Sequence, residues 1–308
     1  MAARGARAKT CPSAAVGILS PAAEAAATLT AFREGIRDLG YIEGQTIALD
    51  FRLSKGITDA LPALAGELVR IPVNVIVTDT TSATLAAFGA THTIPIVMGT
   101  TAGDPVALGL AKSLSRPGGN VTGTNFLSGL SEKRLQLLKQ AFPDVQRVAV
   151  LANPKDAISV SEMPHAEMAA ARIGMRLFPL AASTPAELHA LAPSALAGSD
   201  GLLVMPGGMF WNNRATVIGI ASMARVPAIY PEREYADDGG LIAYGPNALE
   251  HFRQAAGYVD RILRGAKPGD LPINASSKFD FVVNLRTARA LGLTPSPDFL
   301  SAANEVIE

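Results

Sequence analysis

Short runs of β-branched and apolar residues recur along almost the whole chain, each followed by a stretch with helical spacing, and this alternation predicts a parallel α/β sheet. The runs are Val16–Leu19, Ile47–Phe51, Val73–Val77, Ile94–Met98, Val121–Thr124, Val148–Leu151, Arg176–Leu180, Leu202–Met205, Val226–Tyr230, Leu241–Tyr244 and Phe279–Val283. Their spacing repeats. Runs starting at 16, 47, 73 and 94 are 31, 26 and 21 residues apart, and those starting at 148, 176, 202 and 226 are 28, 26 and 24 apart. Each set closes on a similar phrase, Ile94-Pro95-Ile96-Val97-Met98 and Val226-Pro227-Ala228-Ile229-Tyr230, and a Gly-Gly with one further run follows each. Two successive α/β units of similar build are therefore expected, not one long sheet. After Tyr244 there remain one helix (about 248–264), one strand and a short helical end, too few for a third unit. They would complete the two units in turn by crossing between them again.

The intervening helices carry readable faces and caps. Leu29, Phe32, Ile36 and Leu39 form an apolar stripe with Arg33, Arg37 and Asp38 towards solvent, and Gly40 supplies a left-handed end. Thr184-Pro185-Ala186-Glu187 combines an N-cap, a first-turn proline and a capping-box glutamate, with Gly198 as a stop signal. Asn247 and Glu250 repeat the pairing before Phe252, Ala256, Val259 and Leu263, and Gly265 closes that helix.

Composition narrows the function. A chain of 308 residues fits two domains. With 27 basic and 27 acidic residues it lacks the positive excess that a nucleic-acid binder uses against phosphate. Hydrophobic residues make up 48% and charged ones 18%, which suits a well-buried core. The single Cys11 allows no internal disulfide, and no apolar run reaches the ~20 residues of a membrane span. Met1–Ser13 holds Arg4, Arg7 and Lys9 but no apolar segment of signal-peptide type; it reads as a disordered tail, with a leader remnant as the alternative.

Enzyme motifs are missing. His92, His165, His189 and His251 stand isolated, and there is no phosphate loop, dinucleotide fingerprint or nucleophile elbow, so neither metal nor cofactor is expected. Small polar residues gather instead where strands end, the place where open α/β sheets bind ligands. Thr80, Thr81 and Ser82 precede a helix whose free amides make a carboxylate seat, although any one of them also serves as a cap. Ser20 before Pro21 is a second candidate. Asp104 before Pro105 reads as a helix N-cap, and Asn153 before Pro154 as a turn former or a ligand contact. The loop Met205–Trp211 is the most aromatic, with Gly207, Met209 and Phe210 in it; Tyr230 and Tyr244 end strands and are expected at the same cleft. Glu232 and Glu234 nearby could hold a cation, although exposed first-turn acids more often only favour the helix dipole.

Several phrases stand in the order seen in one family: Val16-Gly17-Ile18-Leu19-Ser20-Pro21, Phe32-Arg33-Glu34-Gly35 through Leu39-Gly40-Tyr41-Ile42-Glu43-Gly44, Ile94-Pro95-Ile96-Val97, Gly103-Asp104-Pro105-Val106, Ser115-Arg116-Pro117-Gly118-Gly119-Asn120-Val121-Thr122-Gly123, Gly239-Gly240-Leu241 to Tyr244-Gly245 and Ala290-Leu291-Gly292-Leu293. In these the chain resembles the tryptophan/tyrosine-type substrate-binding proteins of ABC transporters, over about Val16 to Glu308. The resemblance implies the type I periplasmic-binding-protein architecture: two doubly wound, Rossmann-like α/β lobes joined by three crossovers near Gly123, Gly245 and Ser276. One lobe would hold residues 14–123 and 246–276, the other 124–245 and 277–308, with 1–13 as tail or leader remnant. It also implies a small-molecule ligand between the lobes, permease and ATPase partners, an exported monomer, and contact with the membrane only through the transporter. Carried over by position, the cleft would be lined by Ser20, Thr80–Ser82, Asp104, Asn153, Gly207, Met209, Phe210, Tyr230 and Tyr244. Family members often carry an Asp after the proline of the loop that here reads Pro206-Gly207-Gly208. Gly207 cannot pair with an ammonium, which leaves only Asp79, Asp104, Glu232 or Glu234 to neutralise one, each with a routine surface or capping role available, and favours an aromatic or aliphatic carboxylate lacking the amine. An α/β enzyme such as a hydrolase is the competing expectation. A DNA-binding regulator of this fold would need a headpiece for which Met1–Ser13 is too short.

Overall fold

The computed structural model describes residues 14–22, 27–126, 129–191, 193–276 and 278–308; the expected tail over Met1–Ser13, with Cys11, lies outside them. Thirteen strands are described: β1 (Ala14–Ser20), β2 (Ile47–Leu53), β3 (Val75–Thr78), β4 (Ile96–Ala102), β5 (Val121–Phe126), β6 (Arg147–Ala152), β7 (Arg176–Ala181), β8 (Gly201–Val204), β9 (Ala228–Tyr230), β10 (Ile242–Pro246), β11 (Asn274–Ala275), β12 (Phe279–Asn284) and β13 (Glu305–Ile307). They form two sheets, ordered β11-β5-β4-β3-β1-β2 and β13-β12-β10-β9-β8-β6-β7. In each, the first strand of the unit lies between the second and third, so the spacing repeat reflects one topology used twice. Every pairing is parallel except that of β10 with β12.

Central strands read as unbroken apolar runs because both their faces are covered. Val16, Ile18, Val75, Val77 and Val97 pack on one side of the first sheet, and Leu19, Ile76, Ile96, Met98 and Val121 on the other. In the second sheet Val148, Val150, Leu203 and Ile229 oppose Ala149, Leu151, Leu202 and Val204.

The N-caps at Thr184 and Asn247 hold as expected, but the helix after Thr184 ends at Ala190, well before the expected stop at Gly198. Thr184 accepts the Glu187 amide at 3.2 Å while the Glu187 carboxylate accepts the Ser183 amide at 2.8 Å. Asn247 accepts the Glu250 amide at 2.9 Å and starts the helix Ala248–Leu263. That helix returns to the first sheet and packs on the helix Ala27–Asp38. A Cβ at Gly35 would sit 2.9 Å from the Ala256 methyl, so the glycine permits the close approach. Leu29, Phe32 and Ile36 are buried as expected, but the helix stops at Asp38 and leaves Leu39 exposed. No helix follows Asp104: the segment is a series of turns, and the Asp104 carboxylate accepts the Val106 amide at 2.9 Å.

The chain passes between the sheets three times: after β5, between β10 and the helix Ala248–Leu263, and between β11 and β12. The first passage lies beyond Gly123, because β5 stays in the first sheet to Phe126. The second is tightly packed. A Cβ at Gly245 would stand 1.7 Å from the Pro231 carbonyl oxygen, and neither backbone can move without dislodging β9 or β10. Gly245→Ala is therefore expected to destabilise the protein by about 3 kcal/mol or more, read as a lowered urea midpoint. A midpoint within error of the parent would contradict this packing.

Candidate functional site

The carboxyl ends of both sets of parallel strands face one cleft. Its lining comes from the first sheet side through Pro21, Ala22, Thr28, Asp79, Thr80, Thr81, Thr100, Ala102 and Phe126, and from the second through Ile158, Pro206, Gly207, Gly208, Trp211 and Glu232, with Ala248 at the second crossing. Most of this surface is apolar. Among the described residues its charged groups are two carboxylates, one from each side, and the lining holds no Lys, Arg or His.

Asp79 follows β3 and is held by short hydroxyl hydrogen bonds: Ser20 donates to Oδ2 at 2.7 Å and Thr100 to Oδ1 at 2.5 Å. Burial raises its pKa, and the two hydroxyls pull it back. Glu232 follows β9. Its Oε2 is shut off from solvent and has no hydrogen-bond partner. Burial pushes this carboxyl up to about 8, opposed by Arg134 and reinforced by Glu234 and Asp79. Arg134 does not reach it as an ion pair. From the helix Leu130–Ala141, its Nε donates to the Tyr244 carbonyl at 2.8 Å and its Nη2 to the Pro231 carbonyl at 3.4 Å, tying the two strand ends together. A third acid, Asp156, caps the helix Ala157–Arg172 by accepting the Ile158 amide at 3.1 Å, and burial raises it to about 6. Its Oδ2 lies 3.4 Å from the point where a Cβ at Gly207 would be.

Of the residues expected from sequence, Thr80, Thr81 and Gly207 line the cleft. Thr80 caps the helix Thr81–Ala90 at φ +80°, a conformation rare for a β-branched residue and found where local structure overrides preference. The Thr81 hydroxyl is engaged with the backbone of Ala102, donating to its carbonyl at 2.9 Å and accepting its amide at 3.0 Å. Ser20 supports Asp79 from behind, and Ser82 reaches across to Asp156 at 3.5 Å. Asn153 lies outside the lining and forms a turn, accepting the Lys155 amide at 2.9 Å, while its buried Nδ2 is left without a partner. Met209, Phe210 and Tyr230 are core residues of the second sheet, Tyr244 stacks on Phe279, and Asp104 is exposed. From the aromatic loop it is Trp211 that faces the cleft.

One sequence inference needs correction. Glu232 is not an exposed helix-dipole acid, because the turn after Pro231 directs its carboxyl inward. Of the acids expected from sequence to be able to neutralise an amine with Gly at 207, Asp79 and Glu232 line the cleft, and Asp156 stands behind the glycine. The useful signal was position: Asp79 and Glu232 each sit within two residues of a strand's carboxyl end, where ligands bind.

The two sides touch around the cleft. Asn212 donates to the Pro21 carbonyl at 2.6 Å, Lys155 pairs with Asp59 at 2.8 Å, and Gly208 leaves only enough room for Pro21. Among the described residues no group of acids, histidines or cysteines could hold a metal, and no helix is long and apolar enough to cross a membrane.

Comparison with known proteins gives a consistent result. The model of the family described as ABC transporter substrate binding protein matches residues 16–307. A tyrosine-binding protein of Clostridioides difficile is 27% identical over 262 residues, 85% of this chain and 75% of that protein. A conserved domain protein from Vibrio cholerae is 30% identical with a TM-score of 0.88, covering 96% of this chain and 99% of that one. A Streptococcus pneumoniae ABC domain solved in complex with L-Trp shares the fold at 23% identity and a TM-score of 0.87, with the same coverage.

The buried acids predict a pH dependence with a definite sign. A carboxyl whose folded pKa exceeds its unfolded value holds its proton more tightly when folded. It stabilises the fold at low pH, and that stability is lost as pH rises from the unfolded value through about 8 for Glu232. His251, lowered by burial to about 4, acts oppositely, but only below about 6.5. Between pH 7 and 9 the ligand-free protein should thus lose roughly 1 kcal/mol through Glu232. Urea unfolding of Glu232→Gln should lack that slope; an unchanged slope would contradict the burial of this carboxyl.

Proposed function

Because the chain belongs to the ABC transporter substrate binding protein family, we propose that it captures a small amino-acid-like solute between its two lobes and delivers it to a permease driven by an ATPase. The family are binding proteins, and the hydrolase alternative falls with that assignment. It acts outside the cytoplasm and meets the membrane through its transporter, as a monomer. The first lobe is built on the sheet β1–β5 with β11, and the second on the sheet β6–β10 with β12 and β13.

The observation that carries this reading is a cleft whose lining comes from the strand ends of both sheets. Trp211, Phe126, Ile158 and the prolines offer an apolar bed for the solute's body. The first amides of the helix Thr81–Ala90 have no partners within the helix and suit a carboxylate. The names of two similar proteins, one tyrosine-binding and one solved with L-Trp, support an aromatic solute.

Closure is the test. Binding between hinged lobes should lower the radius of gyration measured by small-angle scattering. Ligand at about 100 times its dissociation constant should add about 2.7 kcal/mol of stability, seen as a higher melting temperature. Native mass spectrometry of gently purified protein supplies the candidate solute. A saturating ligand that leaves the scattering profile unchanged would contradict capture between the lobes.

A further inference from the structure

We propose that the amine of the solute, not its carboxylate, is the polar group this cleft selects, held between Glu232 and Asp79 from opposite lobes; the inference rests on the solute-receptor reading above. The charge inventory leads there. The lining contains two carboxylates and no basic side chain, and Asp156 adds a third acid behind Gly207. Arg134, the cation that acts on Glu232, gives its Nε and Nη2 to the carbonyls of Tyr244 and Pro231, keeps a buried Nη1 without a partner, forms no ion pair with Glu232 and lies outside the lining. The unpartnered Oε2 of Glu232 is thus a buried acceptor with a lone pair to offer, and an unpaired buried acceptor is costly.

A ligand ammonium resolves this arrangement. It donates to Glu232 Oε2 and stands against Asp79, whose oxygens already accept from Ser20 and Thr100 and keep lone pairs free. The acids come from different lobes, so the same cation favours the closed form. A carboxylate without an amine meets the opposite situation. At the start of the helix Thr81–Ala90 it meets free amides but lies beside Asp79, and the lining holds no basic side chain to offset that repulsion. An acid at 207 is not needed, because Asp156 Oδ2 already occupies the neighbourhood its side chain would reach. The ligand class is then an aromatic primary amine, whether or not it bears a carboxylate.

Calorimetry with three probes separates the possibilities: tryptamine, L-tryptophan and indole-3-propionate, with tyramine, L-tyrosine and 4-hydroxyphenylpropionate as the second series. Both amine-bearing members of at least one series should bind, and the amine-free acid should bind at least about 100-fold more weakly. Glu232→Gln should weaken amine binding by about 10-fold to 100-fold, the range of a hydrogen bond to a charged group. At pH 7 amine binding should also release protons, up to about one per site, shown by repeating the titration in buffers of different ionisation enthalpy. A merely structural Glu232 would leave that proton count unchanged in the variant. Tight binding of either amine-free acid, or a retained native ligand without an amine, overturns the proposal while the receptor reading stands. If no probe binds, no native ligand is retained and scattering never changes, the receptor reading fails and the proposal with it.

Discussion

Two carboxylates buried in an apolar cleft without a basic side chain form the interaction on which the rest of the structure turns. Neither is placed by chance of folding. Each lies just past a parallel strand, and parallel strands send all their carboxyl ends to one edge of the sheet. With the same strand order in both sheets and a chain that returns twice, the two edges confront each other. Asp79 and Glu232 therefore come from sequence positions far apart, yet line one cavity. The cost of burying them is held within bounds by local donors at Asp79, and at Glu232 by protonation.

The surroundings keep these acids where they are. Arg134 stitches the ends of β9 and β10 through two carbonyls, and Gly245 lets those backbones meet. On the other side Thr80 holds a left-handed conformation that starts the helix Thr81–Ala90 beside Asp79. Such strain persists only where neighbours impose it. Here the Thr100 hydroxyl accepts the Thr80 amide at 3.1 Å, and Thr81 is fixed to Ala102. The contacts of Asn212 with Pro21 and of Lys155 with Asp59 then join the two edges.

Much of the fold could be read from the chain because buried parallel strands are continuous apolar runs bounded by turns. Each of the eleven runs overlaps a strand of the structure. The strands that escaped, Asn274–Ala275 and Glu305–Ile307, are two and three residues long and contain no buried residue, so no pattern marks them. Leu39 continued a helical stripe that the backbone had already left, and Asp104-Pro105 carried a helix signal that the following turns did not use. The site was less legible. Hydroxyls at strand ends drew attention, but most of them serve backbone or acid: Ser20 supports Asp79, and Thr81 supports β4. Met209, Phe210 and Tyr230 were aromatic or apolar for the ordinary reason that they fill the core. Glu232 was hidden by the usual exposure of first-turn acids, and Asp156 by its value as a cap. Burial of a carboxyl depends on what comes from the other lobe, and that is information no local pattern contains.

The central claim is that Glu232 is a buried acid awaiting a cation. The carboxyl carbon of Glu232, assigned by its loss in Glu232→Gln and followed by NMR from pH 5 to 9, reports this directly. The ligand-free protein should show a midpoint near 8. Saturation with an aromatic amine should drive that midpoint down by about two units or more, as a paired cation stabilises the ionised form. A carboxyl that titrates in the ordinary range without ligand, or whose midpoint an amine leaves in place, would contradict the account.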